Sequence, residues 1–144
     1  MLPTIDERFS RALHNTARSW RVALDRRLKD LGMGQASWLA IAAVAKEQPL
    51  SQTELARLLG VEDPTMVTMI DRLVKAGYLQ RTPSDKDRRV KLVSLTPAGQ
   101  DIFARVKKEA EAYRHELLEQ IDPATLGLVT EFLETLQSAI ESKL

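Results

Sequence analysis

Between Ser51 and Gly77 the sequence leaves room for two short helices joined by a three-residue turn, and for little else. Ser51-Gln-Thr-Glu54 reads as a capping box: the Ser51 hydroxyl accepts from the Glu54 N–H, and the Glu54 carboxylate reaches back to the Ser51 N–H. The helix it opens carries Leu55, Ala56, Leu58 and Leu59, and Gly60 ends it. Asp63-Pro64 then reads as an N-cap followed by proline at the first helical position. The second helix runs to Ala76, stops at Gly77 and is predicted to bury Val67, Ile70, Leu73 and Val74. Two helices meeting through Gly60-Val61-Glu62 make a helix-turn-helix arrangement.

The second helix keeps Thr65, Thr68, Met69 and Arg72 off its core face. Short polar side chains and an arginine allow close approach to a DNA major groove and hydrogen bonds to base edges or phosphates. A merely solvated face is the alternative, and it would more often carry long Glu and Lys side chains. Pro64 and Thr65 belong to the same expected DNA face, with Thr65 near the helix start where backbone N–H groups favour a phosphate. Thr68 and Met69 are placed for base edges or a thymine methyl.

After Gly77, two β-prone runs, Tyr78–Thr82 and Val90–Leu95, flank the polar segment Pro83–Arg89. That pattern predicts a hairpin with a long tip carrying Lys86, Arg88 and Arg89. A basic hairpin directly after a helix-turn-helix is a wing, suited to lie along the DNA backbone and to place a cation in the minor groove. Charge agrees with this location. The whole chain carries 21 Lys+Arg against 20 Asp+Glu, yet residues 72–91 hold seven basic side chains against Asp85 and Asp87 alone. An ordinary mixed-sign surface is the alternative reading of that charge by itself.

Four further helices surround this segment. Ile5, Phe9, Leu13, Ala17, Trp20, Leu24, Leu28 and Leu31 step by three and four, marking an amphipathic helix stopped by Gly32 and Gly34. A second helix is predicted from Gln35 to Lys46, closed by Pro49. Thr96-Pro97 and Asp122-Pro123 repeat the cap-and-proline signature and open two more helices. Their stripes are Ile102, Val106, Ala110, Tyr113, Leu117, Leu118 and Ile121, then Leu126, Val129, Phe132, Leu133, Leu136 and Ile140. A small helix-turn-helix core cannot cover all of this apolar surface. A fold-back hairpin or a second copy of the chain would cover it.

Several function classes are disfavoured. The absence of cysteine removes thiol catalysis, a disulfide scaffold and a cysteine-based metal site or redox sensor. His14 and His115 are the only histidines, and neither has a catalytic partner at a recognisable spacing. No phosphate-cradling glycine loop or metal-ligand spacing is present, so the chain is expected to be no enzyme and to need no cofactor. No apolar run reaches the ~20 residues that span a bilayer, and the charged N-terminus lacks a signal-peptide core. A cytoplasmic protein without membrane association is expected.

The order of these elements resembles the MarR family of winged-helix regulators. The closest match is Leu73-Val-Lys-Ala-Gly77-Tyr-Leu-Gln-Arg81, then Asp85-Lys-Asp87-Arg-Arg89, then Val93-Ser-Leu-Thr96-Pro-Ala-Gly99. It contains the family's wing signature, an Asp-x-Arg followed by a Leu-Thr-x-x-Gly turn. Within the family, Arg18-Ser-Trp20-Arg21, Asp25-Arg-Arg-Leu-Lys29 and Gln35-Ala-Ser-Trp38 are similar to the SlyA subgroup. Thr68 departs from that subgroup, which tends to carry arginine there, so operator preference does not transfer.

The resemblance implies a mainly α fold with a small β-wing: a six-helix winged helix-turn-helix spanning residues 1–144 as one dimeric domain. Residues 1–31 and 97–144 would form the dimerisation helices, and residues 35–96 the DNA-binding lobe. It implies a homodimeric transcriptional regulator that binds double-stranded DNA at a pseudo-palindromic operator. Arg89 would enter the minor groove, held by Asp87, while Lys86 and Arg88 contact phosphates. The resemblance also implies a small phenolic or aromatic carboxylate ligand, for which Arg18, Trp20 and Trp38 are the candidates. Two indoles would stack on the ring and a guanidinium would pair with the acid. Both tryptophans equally fit an ordinary core role. A dimeric winged-helix adaptor that binds protein instead of DNA is the rival function.

Overall fold

A computed structural model describes residues 1–144. Its elements are α1 (Ile5–Leu28), a 3₁₀ turn (Lys29–Leu31), α2 (Gln35–Glu47), β1 (Leu50–Ser51), α3 (Gln52–Leu59), α4 (Asp63–Lys75), β2 (Leu79–Pro83), β3 (Lys91–Leu95), α5 (Pro97–Leu118) and α6 (Pro123–Glu141). Residues 1–110 form one compact unit and residues 111–144 a second, with α5 running through the boundary.

The first unit holds the core. Leu28, Ile41, Val44, Leu55, Met66, Ile70, Leu79, Val93 and Val106 are fully buried, so α1 to α5 and the sheet all contribute. Each such side chain stabilises the fold by about 1.5–3 kcal/mol relative to exposure. The sheet has the order β1-β3-β2 and is antiparallel throughout. Leu79 pairs with Leu95 and Pro83 with Lys91, which fixes the hairpin register. The sequence predicts only this hairpin. The third strand, β1, is two residues long and pairs Leu50 with Val93, too short to leave an alternation pattern.

Capping chemistry sets most of the helix starts. The Ser51 hydroxyl accepts from the Glu54 N–H at 3.1 Å, as its spacing predicts, but the reciprocal Glu54 bond is not formed. A complete capping box lies instead at Thr4 and Glu7, opening α1. Asp122 caps α6 through the Thr125 N–H at 3.0 Å. Two boundaries need correction. The N-cap of α4 is Glu62, not Asp63, and Asp63 is the first helical residue with its charge in the first turn. The first helix ends at Leu28, and its predicted last turn tightens into the 3₁₀ segment before Gly32.

The α3–α4 turn depends on Gly60. It takes φ 67°, a left-handed conformation that is costly for residues with a Cβ, and its N–H closes α3 on the Ala56 and Arg57 carbonyls. Beyond the hairpin, Thr96 joins α5 to the lobe. Its hydroxyl donates to the Gly77 carbonyl at 2.5 Å and accepts from the Gly99 N–H at 2.9 Å, while its own N–H bonds the Tyr78 carbonyl at 3.1 Å. A Cβ on Gly99 would stand 2.0 Å from the Tyr78 carbonyl oxygen, so only glycine permits this approach.

In the second unit no side chain is fully buried. The α6 stripe is present, but Leu128, Val129, Phe132, Leu133 and Ile140 are exposed.

Gly99→Ala is expected to destabilise the protein by about 1–3 kcal/mol, the usual cost of forcing atoms into a packed site. Chemical denaturation checks this; an unchanged midpoint would mean that the backbone shifts freely there.

Candidate nucleic-acid interface

The burial of α4 determines which residues it offers to a partner. Met66, Ile70 and Leu73, spaced four and three apart, face inward. The sequence reading is right for Ile70 and Leu73 and must be corrected for the valines: Val67 is exposed and Val74 half-buried. Valines seven apart share one side of a helix, but here that side lies one step round from the core. Met66 fills the position instead and is fully buried.

Pro64, Thr65, Thr68 and Arg72 are exposed, as expected for a reading face. Met69 is half-buried and stands at the edge of that face. The Thr68 hydroxyl donates to the Pro64 carbonyl at 3.1 Å, so its oxygen remains able to accept. Two further residues lie on the exposed side and went unassigned from sequence: Asp71 and Lys75. Their positions follow Thr68 by three and seven, a signal that the misplaced valine stripe concealed.

The wing tip is held by one acidic side chain. Asp87 accepts from the Arg89 N–H at 3.0 Å and from its Nε at 3.1 Å through Oδ1, and from a terminal guanidinium nitrogen at 3.2 Å through Oδ2. This is the Asp-x-Arg pair expected from sequence, with a two-pronged geometry. The side-chain and backbone bonds from Arg89 lower the Asp87 pKa below the ordinary carboxylate value. Arg89 itself is 91% exposed. Lys86 and Arg88 are also exposed on the tip, where the Lys86 N–H bonds the Ser84 hydroxyl. The connection is Ser84–Val90, one residue later than the sequence reading gives, because Pro83 still pairs with Lys91.

Arg81 connects these parts. From β2 its Nε donates to Gln52 Oε1 at 2.6 Å, and a terminal nitrogen donates to Asp71 Oδ1 at 2.5 Å and to the Val67 carbonyl at 3.5 Å. One guanidinium therefore spans β2, α3 and α4.

The three ligand candidates are spread over α1 and α2. Trp20 is half-buried on the stripe of Leu24 and Leu28. Trp38 is half-buried on α2, and its indole N–H is buried without a hydrogen-bond partner. Arg18 is exposed on another side of α1, where it lines an open groove of about 270 Å³ with Ser19, Val22, Ala23 and Arg26, not with the tryptophans. No group of three or more His, Asp or Glu side chains is arranged to hold a metal ion, and no helix is long and apolar enough to cross a membrane.

This geometry defines a winged helix-turn-helix, and comparison with known proteins supplies its family. A MarR family model matches residues 31–90. The transcriptional regulator PA3341 is 35% identical, with 93% of this chain and 98% of that chain covered at a TM-score of 0.79. A MarR variant from E. coli, solved in complex with operator DNA, is 23% identical over 88% and 91% of the two chains, with a TM-score of 0.79. A Staphylococcus aureus MarR in complex with salicylate and kanamycin shares 17% identity over 97% and 95%, at a TM-score of 0.87. The chain belongs to the MarR family of winged-helix transcriptional regulators, which are DNA-binding proteins and not a class of enzymes.

Because Asp87 has a lowered pKa in the folded protein, its pair with Arg89 is in place at neutral pH and is lost as pH falls through that lowered value. A carboxyl NMR titration should place the Asp87 midpoint below that of an exposed aspartate, and Arg89→Ala should move it up. An ordinary midpoint unaffected by Arg89→Ala would show that the tip is not braced this way.

Proposed function

We propose that this regulator works as a homodimer on a pseudo-palindromic operator, and that a small phenolic or aromatic carboxylate modulates its DNA affinity. The observation that carries the DNA mode is the wing tip, where an exposed guanidinium is already oriented by a carboxylate. Orienting the fork before binding reduces the rotamer entropy lost on contact. In this mode Arg89 enters the minor groove and Asp87 aims it. Arg88 and Lys86 neutralise phosphates. Thr65 and Arg72 contact the backbone at the flanks of the major groove, while Thr68, with Met69 and Pro64 beside it, faces base edges.

Homodimerisation is supported by apolar surface that stays exposed in a single chain. Ile5 is 71% and Phe132 52% exposed, and Phe9, Leu13, Leu128 and Val129 are exposed with them. Patches of this kind on long helices mark interfaces, and residues 1–31 and 97–144 are the segments assigned to that role. A two-fold axis would set the recognition helices about one DNA turn apart, ~34 Å.

The ligand reading centres on Trp38. A buried N–H without an acceptor costs on the order of 1–3 kcal/mol, and a carboxylate bound beside it would remove that cost. Trp20 offers a second indole, and Arg18 reaches such an anion only by its long stem. The salicylate complex of the Staphylococcus aureus relative agrees with this class of ligand. The sequence likeness in the segments from Arg18 to Trp38 supports a SlyA-like reading within the family.

Arg89→Ala is expected to weaken binding to selected duplex DNA by about 1–3 kcal/mol, the scale of a direct groove contact. Fluorescence anisotropy with labelled duplex measures this. Equal affinity of the variant and the wild type would remove the wing arginine from the DNA mode.

A further inference from the structure

Asp71 poses an electrostatic problem. It is 61% exposed on the reading helix, beside Arg72, where a DNA polyanion would approach. A bare carboxylate there would repel phosphates. Arg81 neutralises it, yet the arginine is only 25% exposed and so is not itself a free surface cation. Its donors are already directed to protein: Gln52 at the first turn of α3, Asp71 and the Val67 carbonyl on α4. Arg81 sits opposite Val93 in the middle of the hairpin, two residues before the strand ends at Pro83. The wing tip therefore projects from the strand that Arg81 fastens.

We propose that Arg81 is the positioning residue that locks the recognition helix and the wing into one rigid DNA-reading unit. It acts through Asp71, Gln52 and the Val67 carbonyl, without itself contacting DNA. Of the β2 side chains only Leu79 is fully packed into the core, with Arg81 half-buried and Gln80, Thr82 and Pro83 exposed, so along the rest of its length β2 is held by its ladder to β3. A ladder fixes the register within the hairpin but not the angle between the hairpin and the recognition helix. The guanidinium supplies the second anchor, and its planar fork fixes an angle that a single ammonium contact does not. Arg89 then reaches the minor groove at a set distance from Thr68 only while this anchor holds. The proposal rests on the DNA-binding reading given above.

The test is a double-mutant cycle on DNA affinity with the full-length protein, using Arg81→Gln, Arg81→Lys and Arg89→Ala. Coupled sites give non-additive effects and independent sites give additive ones. Arg81→Gln should reduce affinity about tenfold, equivalent to ~1.4 kcal/mol. In that background Arg89→Ala should cost little more, because the wing is no longer held in register. Arg81→Lys keeps the charge but loses the fork. It should show the same coupling, and it serves if Arg81→Gln fails to fold. Asp71→Asn should reproduce the coupling from the other side of the contact. A full and equal cost of Arg89→Ala in every background would overturn the positioning role, as would wild-type affinity in both Arg81 variants. Wild-type protein that binds no duplex DNA would instead defeat the DNA-binding reading and this proposal with it.

Discussion

Met66, Ile70 and Leu73 bury one side of α4 against the lobe core, and nearly every functional assignment follows from that contact. Once these three point inward, Thr68, Arg72 and Lys75 point outward and Asp71 is directed toward β2. A rotation of the helix by one residue would bury Thr68's neighbours and replace a polar reading face with two valines. The hydrophobic effect, which has no directionality of its own, thus sets the orientation of the directional chemistry. The same packing brings the Val67 carbonyl within reach of Arg81.

Three polar devices convert this packed lobe into a shaped surface. Asp87 braces the exposed arginine of the wing. Arg81 ties the wing strand to both helices of the helix-turn-helix. Thr96 and Gly99 join the start of α5 to the backbone at Gly77 and Tyr78, directly after the reading helix. The last joint ties the start of α5 to the end of α4 without intervening flexible chain. On the other side of the lobe, Arg27 of α1 pairs with Glu109 of α5, so the same long helix is also tied to α1.

Much of this was legible in the sequence. Ser51, Thr96 and Asp122 cap helices as their spacing implies, and the Asp-x-Arg pair of the wing forms as a local turn must. These are short-range interactions, decided within three residues. The misses are long-range or nearly symmetric choices. Val67 and Val74 compete with Met66 for the core, and only the shape of the surface beneath α4 decides between them. β1 is paired by β3, more than forty residues away, and is too short to show a period. Asp71 and Arg81 are ten residues apart and carry no motif as a pair, although each stands in a recognisable segment. The two tryptophans keep both of their expected roles in play: Trp20 shares the stripe of core leucines, and Trp38 keeps a buried donor without an acceptor.

In the proposed DNA mode, two copies of this lobe, paired through their long helices, clamp a single duplex by charge and groove contacts. Sedimentation equilibrium of the protein with a selected duplex, repeated across a salt series, tests both halves at once. Two chains per duplex are expected at low salt. The complex should weaken steeply as salt rises, since log affinity falls by ~0.9 per phosphate neutralised for each log unit of salt, while the protein dimer itself persists. A monomeric protein, or a complex whose affinity does not respond to salt, would contradict it.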